Sequence, residues 1–243
     1  MKIKIITING LNQSVISISK FINTFSNIEI IEFNSQKRSS SSNNPQAILN
    51  EWKKNLYEQF VEINNGFEYI LIINSMALPI YLSIYNSIKN LNLKIAKYLL
   101  FAPLVKLNTR TFLLLSLSKK TPSFMNHLKV KSKNTQEQQL KNHCTIGEYK
   151  AVFLLYKDYN PKNYSVLLNN SVCFINKKDE LMNSIQYNHY FDNLYYVKNC
   201  KRYHQLFIHK NYPVGELERI FNVINQYVNF SLLSLTKLDY DKS

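Results

Sequence analysis

The stretch from Ile70 to Ile84, ILIINSMALPIYLSI, constrains the fold more than any other part of the chain. It contains no charged residue, yet Asn74 and Ser75 interrupt its apolar run. A membrane-spanning helix needs about 20 mainly apolar residues, and an extension to that length brings in Glu68 or Lys89. We therefore interpret the stretch as a buried strand that turns sharply at Asn74 and Ser75 and enters a helix.

Strand patterns and helix patterns alternate along the whole sequence. The predicted strands cover residues 2–8, 28–33, 68–73, 94–102, 171–176 and 193–199. The predicted helices cover residues 15–25, 45–64, 78–90, 148–157 and 215–230. This alternation is typical of βαβ units, so the predicted fold class is α/β, with a mostly parallel central sheet and helices on both faces. A chain of 243 residues fits one such domain, residues 1–243.

The composition is that of a globular protein, because 45% of the residues are hydrophobic and 13% are aromatic. The cysteines, Cys144, Cys173 and Cys200, have no metal-site or disulfide spacing. A sparse, odd count is typical of a reducing compartment, and the first residues, MKIKIITING, do not form a signal-peptide pattern. We expect a cytoplasmic protein without a metal or another cofactor.

The net charge of +14 has two interpretations. It could attract nucleic acid or an anionic lipid surface, or it could reflect a composition in which lysine is simply abundant. The sequence has no block of five or more like charges, even in its most basic stretch, residues 119–150, which favours the second interpretation. Nucleic acid is an unlikely partner because no recognition motif accompanies the charge.

A strand that ends in x-Ser-x and enters a helix is the context of a nucleophile elbow. LIINSMAL, residues 71–78, resembles the elbow of the α/β-hydrolases, where Gly-x-Ser-x-Gly follows a strand. Ile73 and Ala77 occupy the two glycine positions. NGLNQS, residues 9–14, resembles the His-Gly turn of that family, with Asn9 at the histidine position.

Later segments extend the resemblance to nearly the whole chain. FAPL, residues 101–104, resembles the strand end that leads into the family's cap, and residues 104–148 would be the cap insertion. VCFINKKDELMNS, residues 172–184, resembles the acid loop, and residues 201–228 resemble the histidine loop with the last helix. The order Ser, Asp, His is that of the family, and the chain looks most like its esterase and monoacylglycerol-lipase branch.

The resemblance implies a serine hydrolase that cleaves carboxylic esters through an acyl-enzyme. Ser75 would be the nucleophile, His204 the base and Asp179 the acid that orients the imidazole. The backbone N–H groups of Leu11 and Met76 would hold the oxyanion. The implied substrate is a small-molecule ester or a lipid-like ester.

Other residues could take the same roles. The alternatives for the base and the acid are His209, Asp158 and Asp192. Asp179 could instead cap a helix that starts at Glu180, a position that aspartate favours. His189 and Asp192 can share a helical face, but two ligands do not make a metal site.

The sequence also leaves alternatives open for the function. The eroded glycine motifs allow a hydrolase-fold binding module that has lost catalysis, and an alcohol acceptor would make the protein an acyltransferase. The apolar residues of the cap could line an acyl-chain pocket, and its lysines, Lys119, Lys120, Lys129 and Lys131, could face an anionic membrane surface. A charge run is more often a solvated face, which we favour for these lysines. The oligomeric state is open.

Overall fold

The computed structural model describes residues 3–11, 29–36, 43–63, 65–131, 143–198 and 215–228. Its strands are β1 (Ile3–Ile8), β2 (Ile30–Phe33), β3 (Glu68–Asn74), β4 (Lys94–Phe101), β5 (Lys129–Lys131), β6 (His143–Thr145), β7 (Val172–Asn176) and β8 (Asn193–Val197). Its helices are α1 (Pro45–Val61), α2 (Ala77–Ser83), α3 (Tyr85–Lys89), α4 (Thr109–Lys120), α5 (Ile146–Asp158), α6 (Ser165–Asn169) and α7 (Glu216–Val228).

Six strands form the central sheet in the order β2-β1-β3-β4-β7-β8. Every pairing in this sheet is parallel, which confirms the predicted fold class. The pair β5–β6 is a separate antiparallel ribbon. Because β3 and β4 lie in the middle of a parallel sheet, both of their faces must be covered by other elements.

Apolar side chains alternate between the two faces of the sheet. Ile6, Ile73 and Leu100 belong to a core that also contains buried residues of α1, α2 and α5. Ile70 and Phe101 belong to a second core on the other face, which α7 covers with Ile220 and Ile224. Successive residues of a strand point to opposite faces, so one run of apolar residues in β3 supplies both cores.

Local sequence signals account for the longer helices. The side chain of Asn44 accepts a hydrogen bond from the N–H of Gln46 at 2.9 Å and caps α1, and Pro45 occupies the first turn. The predicted apolar stripe of this helix is confirmed, since Ile48, Trp52, Leu56 and Phe60 are all buried. At the start of α5, Thr145 and Glu148 form a capping box.

The structure differs from the predicted elements at two places. The single helix predicted for residues 78–90 is wrong, because the chain breaks at Ile84 and forms α2 and α3. No helix starts at Glu180, and a 3-10 helix begins only at Ser184. The helix predicted for residues 15–25 lies outside the described residues. Segment 104–148 carries α4 and the β5–β6 ribbon, and its role as a cap stays a prediction.

Candidate active site

The ends of three parallel strands bring the described candidate residues to one edge of the sheet. The carboxyl ends of parallel strands meet at the same edge, where ligands bind in open α/β sheets. Ser75 follows β3, Leu11 lies three residues beyond β1, and Asp179 lies three residues beyond β7. Residues 199–214, which include His204, follow β8. The ends of β1, β3 and β7 therefore bring Leu11, Ser75 and Asp179 to the same edge of the sheet.

Ser75 has the backbone conformation of a sharp strand-to-helix turn. Its φ is +51°, a left-handed value that costs an L-residue roughly 1–2 kcal/mol. Its N–H donates to the carbonyl of Phe101 at 2.9 Å, and its carbonyl accepts from the N–H of Leu104 at 3.0 Å. The β3–β4 ladder ends at this contact, so Met76 is the first residue beyond the ladder and lies immediately before α2. Strain of this kind is typically kept at functional sites.

The core accommodates the residues that replace the two elbow glycines. Ile73 is fully buried and faces the core that contains Ile8 and Leu100, its register neighbours on β1 and β4. Ala77, the first residue of α2, is fully buried in the same core. The Ile73 side chain thus packs into the core on one face of the sheet, so the larger residue is accommodated at a position where the family has glycine.

Residues 101–108 connect the serine turn to the acid loop. The N–H of Asn108 donates to the carbonyl of Leu181 at 3.0 Å, and the N–H of Asn183 donates to the carbonyl of Lys106 at 2.8 Å. The Asn108 side chain adds a 2.6 Å bond to the carbonyl of Glu180. Because the same segment also contacts Ser75, a continuous set of hydrogen bonds fixes the serine turn relative to the loop that carries Asp179.

Asp179 is buried and organises a turn. Its Oδ1 accepts hydrogen bonds from the N–H groups of Leu181 at 2.8 Å and Met182 at 3.0 Å. The helix cap predicted as an alternative role at Glu180 is therefore wrong, although the carboxylate does bind the backbone N–H groups that follow it. This arrangement fixes the carboxylate three residues beyond β7, at the same sheet edge as Ser75.

Tyr187 is a residue of this region that the sequence analysis missed. Burial, together with nearby Cys173 and Asp179, raises the pKa of its phenol well above the ordinary value. The neutral hydroxyl donates to the carbonyl of Pro103 at 2.5 Å and accepts from the N–H of Val105 at 3.4 Å. Tyr187 therefore holds the connecting segment in place, and a tyrosine among many in an Asn- and Tyr-rich chain gives no sequence signal for that role.

The first predicted oxyanion loop follows β1 at the same edge. Asn9, at the position of the family's histidine, is buried, and its N–H donates to the carbonyl of Phe33 at 3.2 Å. Neither atom of its side-chain amide has a hydrogen-bond partner within the part of the chain that the structure describes. Leu11 is half-buried and packs against the core. The loop thus starts beside the serine turn, since Ile8 pairs with Ile73 across β1 and β3.

His204 and its alternative His209 both lie outside the described residues. The two ends of their segment are described, and a buried carboxylate joins them. Glu216 Oε1 accepts from the N–H of Lys198 at 2.8 Å and from Arg219 at 2.6 Å. Arg219 also donates to the carbonyl of Tyr196 at 2.8 Å. The start of α7 is thereby fixed to the end of β8. The Glu-x-x-Arg spacing was a signal for this pair that the sequence analysis did not use.

The competing acids occupy different places. Asp192 directly precedes β8, so it lies at the amino edge of the sheet, opposite to Ser75. Asp158 ends α5 and lines a cavity of about 160 Å³ together with Lys53 and Ser83. Within the described ranges, no group of three metal-ligating side chains converges, and none of the helices described is long and apolar enough to cross a membrane.

Known proteins with the same architecture were found by comparing structures. A soluble variant of monoglyceride lipase from Saccharomyces cerevisiae, in complex with a substrate analog, superimposes with a TM-score of 0.65 at 12% identity, over 94% of this chain and 86% of that one. A structure of the metagenome-derived lipolytic enzymes LipS and LipT gives 0.60 at 10% identity, over 93% and 94%. ClbQ from the colibactin pathway gives 0.54 at 13% identity, over 94% and 98%.

The sequence itself matches no protein-family model and no curated protein. At these identities the likeness concerns the fold alone. The strand order, the parallel pairing and the superpositions over more than nine-tenths of the chain agree with one another. The chain has the α/β-hydrolase fold.

Proposed function

We propose that the protein is a serine hydrolase that cleaves carboxylic esters through an acyl-enzyme on Ser75. The observation that carries this proposal is the positive φ of Ser75, +51°, at the turn between a central strand and a helix. A serine held there is raised clear of the sheet, next to the N–H of Met76. The structural neighbours, which include a monoglyceride lipase and lipolytic enzymes, support an ester or lipid-like substrate.

The proposed reaction has two steps. Ser75 Oγ attacks the ester carbonyl carbon while His204 accepts the serine proton, and the N–H groups of Leu11 and Met76 stabilise the oxyanion. The alcohol leaves with the proton from His204, and the acyl group stays on Ser75. Water then attacks the acyl carbon and gives a proton to His204, the bond between the acyl carbon and Ser75 Oγ breaks, and Ser75 Oγ takes this proton from His204 as the carboxylic acid leaves. Asp179 keeps the imidazole in the required tautomer throughout.

An active-site fluorophosphonate probe tests the nucleophile. We expect the folded protein to be labelled and Ser75→Ala to lose the label. Ser171→Ala is the matched control, because Ser171 is also a buried serine but lies at the amino end of β7, where its hydroxyl donates to the carbonyl of Leu168. Labelling that persists in Ser75→Ala would contradict the assignment. A wild-type protein that is folded by circular dichroism but never labelled would favour a binding module.

Product analysis separates a hydrolase from an acyltransferase. The acyl-enzyme is common to both, and they differ in whether water or an alcohol removes the acyl group. With an ester substrate and added glycerol, we expect free carboxylic acid to account for most of the product. A predominance of the glycerol ester would identify an acyltransferase on the same serine.

A further inference from the structure

Exposed apolar side chains are concentrated in one part of the described chain. Of the eleven exposed large hydrophobic residues in the ranges described, seven lie between Phe112 and Val130, in α4 and the turn and strand that follow it. Single exposed apolar residues are ordinary on a protein surface, whereas a contiguous group of them marks an interaction site. We therefore expect a partner that covers these exposed apolar side chains.

The outer face of α4 is apolar with a cation at each end. Leu117 lies three residues after Leu114 and four after Leu113, which places the three side chains on one helical face. They are 53% (Leu113), 60% (Leu114) and 57% (Leu117) exposed. Arg110 and Lys120, three residues before Leu113 and three after Leu117, extend this face in both directions and are exposed. The helix packs on the rest of the protein through buried Leu115 and through Phe112, whose ring contacts Phe153.

The turn that follows α4 extends this apolar surface. Phe124 is 73% exposed in the 3-10 turn Ser123–Met125. The buried amine of Lys150 donates to the carbonyl of Thr121 at 2.7 Å and to Oδ1 of Asn126 at 2.6 Å, so it fixes both ends of this turn to α5. Phe124 is therefore presented next to the end of α4 by residues that are themselves buried.

The charge around this surface has one sign. The sequence contains no Asp or Glu from residue 69 to residue 136, and it contains ten Lys or Arg residues there. Arg110, Lys119, Lys120 and Lys129 are exposed beside the apolar residues. Lysine and arginine can keep their charged ends at a polar boundary while their stems lie along an apolar surface. Abundant lysine explains the charge alone, but it does not explain why apolar side chains are exposed in the same place.

We propose that this surface, which we call the α4 face (Arg110, Leu113, Leu114, Leu117, Lys120 and Phe124), docks on an anionic lipid bilayer. An apolar helix face flanked by cations is the pattern of helices that lie in a membrane interface, and an anionic leaflet supplies the complementary charge. The α4 helix begins at the end of the segment 101–108 that contacts Ser75. Docking would therefore bring lipid to the edge that carries the candidate site; delivery of substrate in this way rests on the proposed function, whereas docking itself does not.

Vesicle co-sedimentation tests the docking directly. The full chain is mixed with vesicles of phosphatidylcholine alone or with 30% phosphatidylserine, at low and high salt. We expect binding to the anionic vesicles that weakens with salt. The triple variant Leu113→Ser, Leu114→Ser, Leu117→Ser should bind at least about tenfold less, and Lys119→Gln with Lys120→Gln should lose about fivefold for each charge removed. Matched controls are Val166→Ser with Ile185→Ser and Lys157→Gln with Lys162→Gln, which change exposed residues outside the α4 face and should bind like wild type.

Three outcomes would overturn the proposal. The first is equal vesicle binding by the leucine variant and its control. The second is vesicle binding that does not depend on phosphatidylserine or on salt concentration. The third is a concentration-dependent dimer, seen by analytical ultracentrifugation, that the leucine variant abolishes while neither protein binds vesicles, which would assign the face to a second copy of the chain. Hydrolysis of a water-soluble short-chain ester is measured in parallel. A wild-type protein that binds vesicles but does not hydrolyse the ester would reject the proposed function without contradicting the proposed docking.

Discussion

The N–H of Ser75 donates to the carbonyl of Phe101 at 2.9 Å and joins the ends of the two central strands. The carbonyl of Ser75 accepts in turn from the N–H of Leu104 at 3.0 Å. Both backbone groups of the serine are therefore fixed by the chain that leaves β4. This contact explains how the turn keeps a positive φ without glycine at either flanking position of the elbow, since a strained residue persists only where its surroundings determine its conformation.

Replacing Ser75 should separate stability from function. Glycine adopts a positive φ without the steric cost that a Cβ atom brings, but it also makes the unfolded chain more flexible. We expect Ser75→Gly to have a free energy of unfolding about 0.5–1 kcal/mol above that of Ser75→Ala, while neither variant reacts with the fluorophosphonate probe. Urea unfolding measures the difference. Asn92→Gly is the control, because Asn92 also has a positive φ of +55° but asparagine tolerates that region, so its gain should be smaller.

Two substitutions at Asp179 should distinguish its charge from its hydrogen bonds. Asn keeps an oxygen that can accept from the N–H groups of Leu181 and Met182, but it does not carry the negative charge that stabilises an imidazolium. We expect Asp179→Asn to lose kcat on the order of 10⁴-fold and to keep its stability. Asp179→Ala should lose, in addition, about 1–3 kcal/mol of the free energy of unfolding, because two backbone donors, of which that of Met182 is buried, lose their acceptor. Near-normal ester hydrolysis by Asp179→Asn would exclude this residue as the triad acid.

The histidine assignment rests on sequence order, so it is tested by comparing two neighbours. We expect His204→Ala to reduce kcat by at least about 10³-fold, since the members of a triad act as a unit. His209→Ala should keep most of the activity. Steady-state kinetics on a soluble ester, with circular dichroism to verify folding, measure both. If His209→Ala were the inactive variant, the base would lie five residues further along the same segment and the rest of the proposal would be unchanged.

The sheet could be predicted from sequence because each strand carries its own local pattern. The run in β3 is buried on both faces, and runs such as Val172–Asn176 are bounded by polar residues, so their positions are visible without knowledge of their partners. The predicted ends were correct to within two residues for all six strands of the central sheet. The parallel direction of the strands then followed from their alternation with helices, whereas the order of the strands across the sheet was not predicted.

The connections between strands could not be predicted in the same way. The break at Ile84 occurs at a β-branched residue with ψ near 0°, in a segment whose apolar spacing continues through it. The contacts of Asn108 with the acid loop, and of Tyr187 with Pro103, join residues more than 70 positions apart. Asn and Tyr are abundant throughout this chain, so nothing in the local sequence distinguishes these two. The geometry of the candidate site depends mainly on such long-range hydrogen bonds.

The link between Glu216 and Arg219 should make the region around the histidine segment sensitive to acid. Burial on its own would raise the pKa of Glu216, but hydrogen bonds from Arg219 and from the N–H of Lys198, with the positive charge of Arg219, outweigh it and hold the pKa below the ordinary value of 4.5. A carboxyl group with a lowered pKa in the folded state stabilises the protein above its unfolded pKa, and this contribution is lost as the pH falls through the folded pKa.

We therefore expect Glu216→Gln to be less stable than wild type at pH 7, and the difference in stability to close as the pH falls through the lowered pKa of Glu216. Urea unfolding at several pH values measures this gap. Glu218→Gln, an exposed change in the same turn of α7, is the control and should follow wild type at every pH. Because Glu216 joins the two ends of the segment that carries His204, Glu216→Gln should also lower kcat on a soluble ester while Glu218→Gln does not. A Glu216→Gln variant with wild-type stability at pH 7 would show that the carboxylate does not hold α7 against β8.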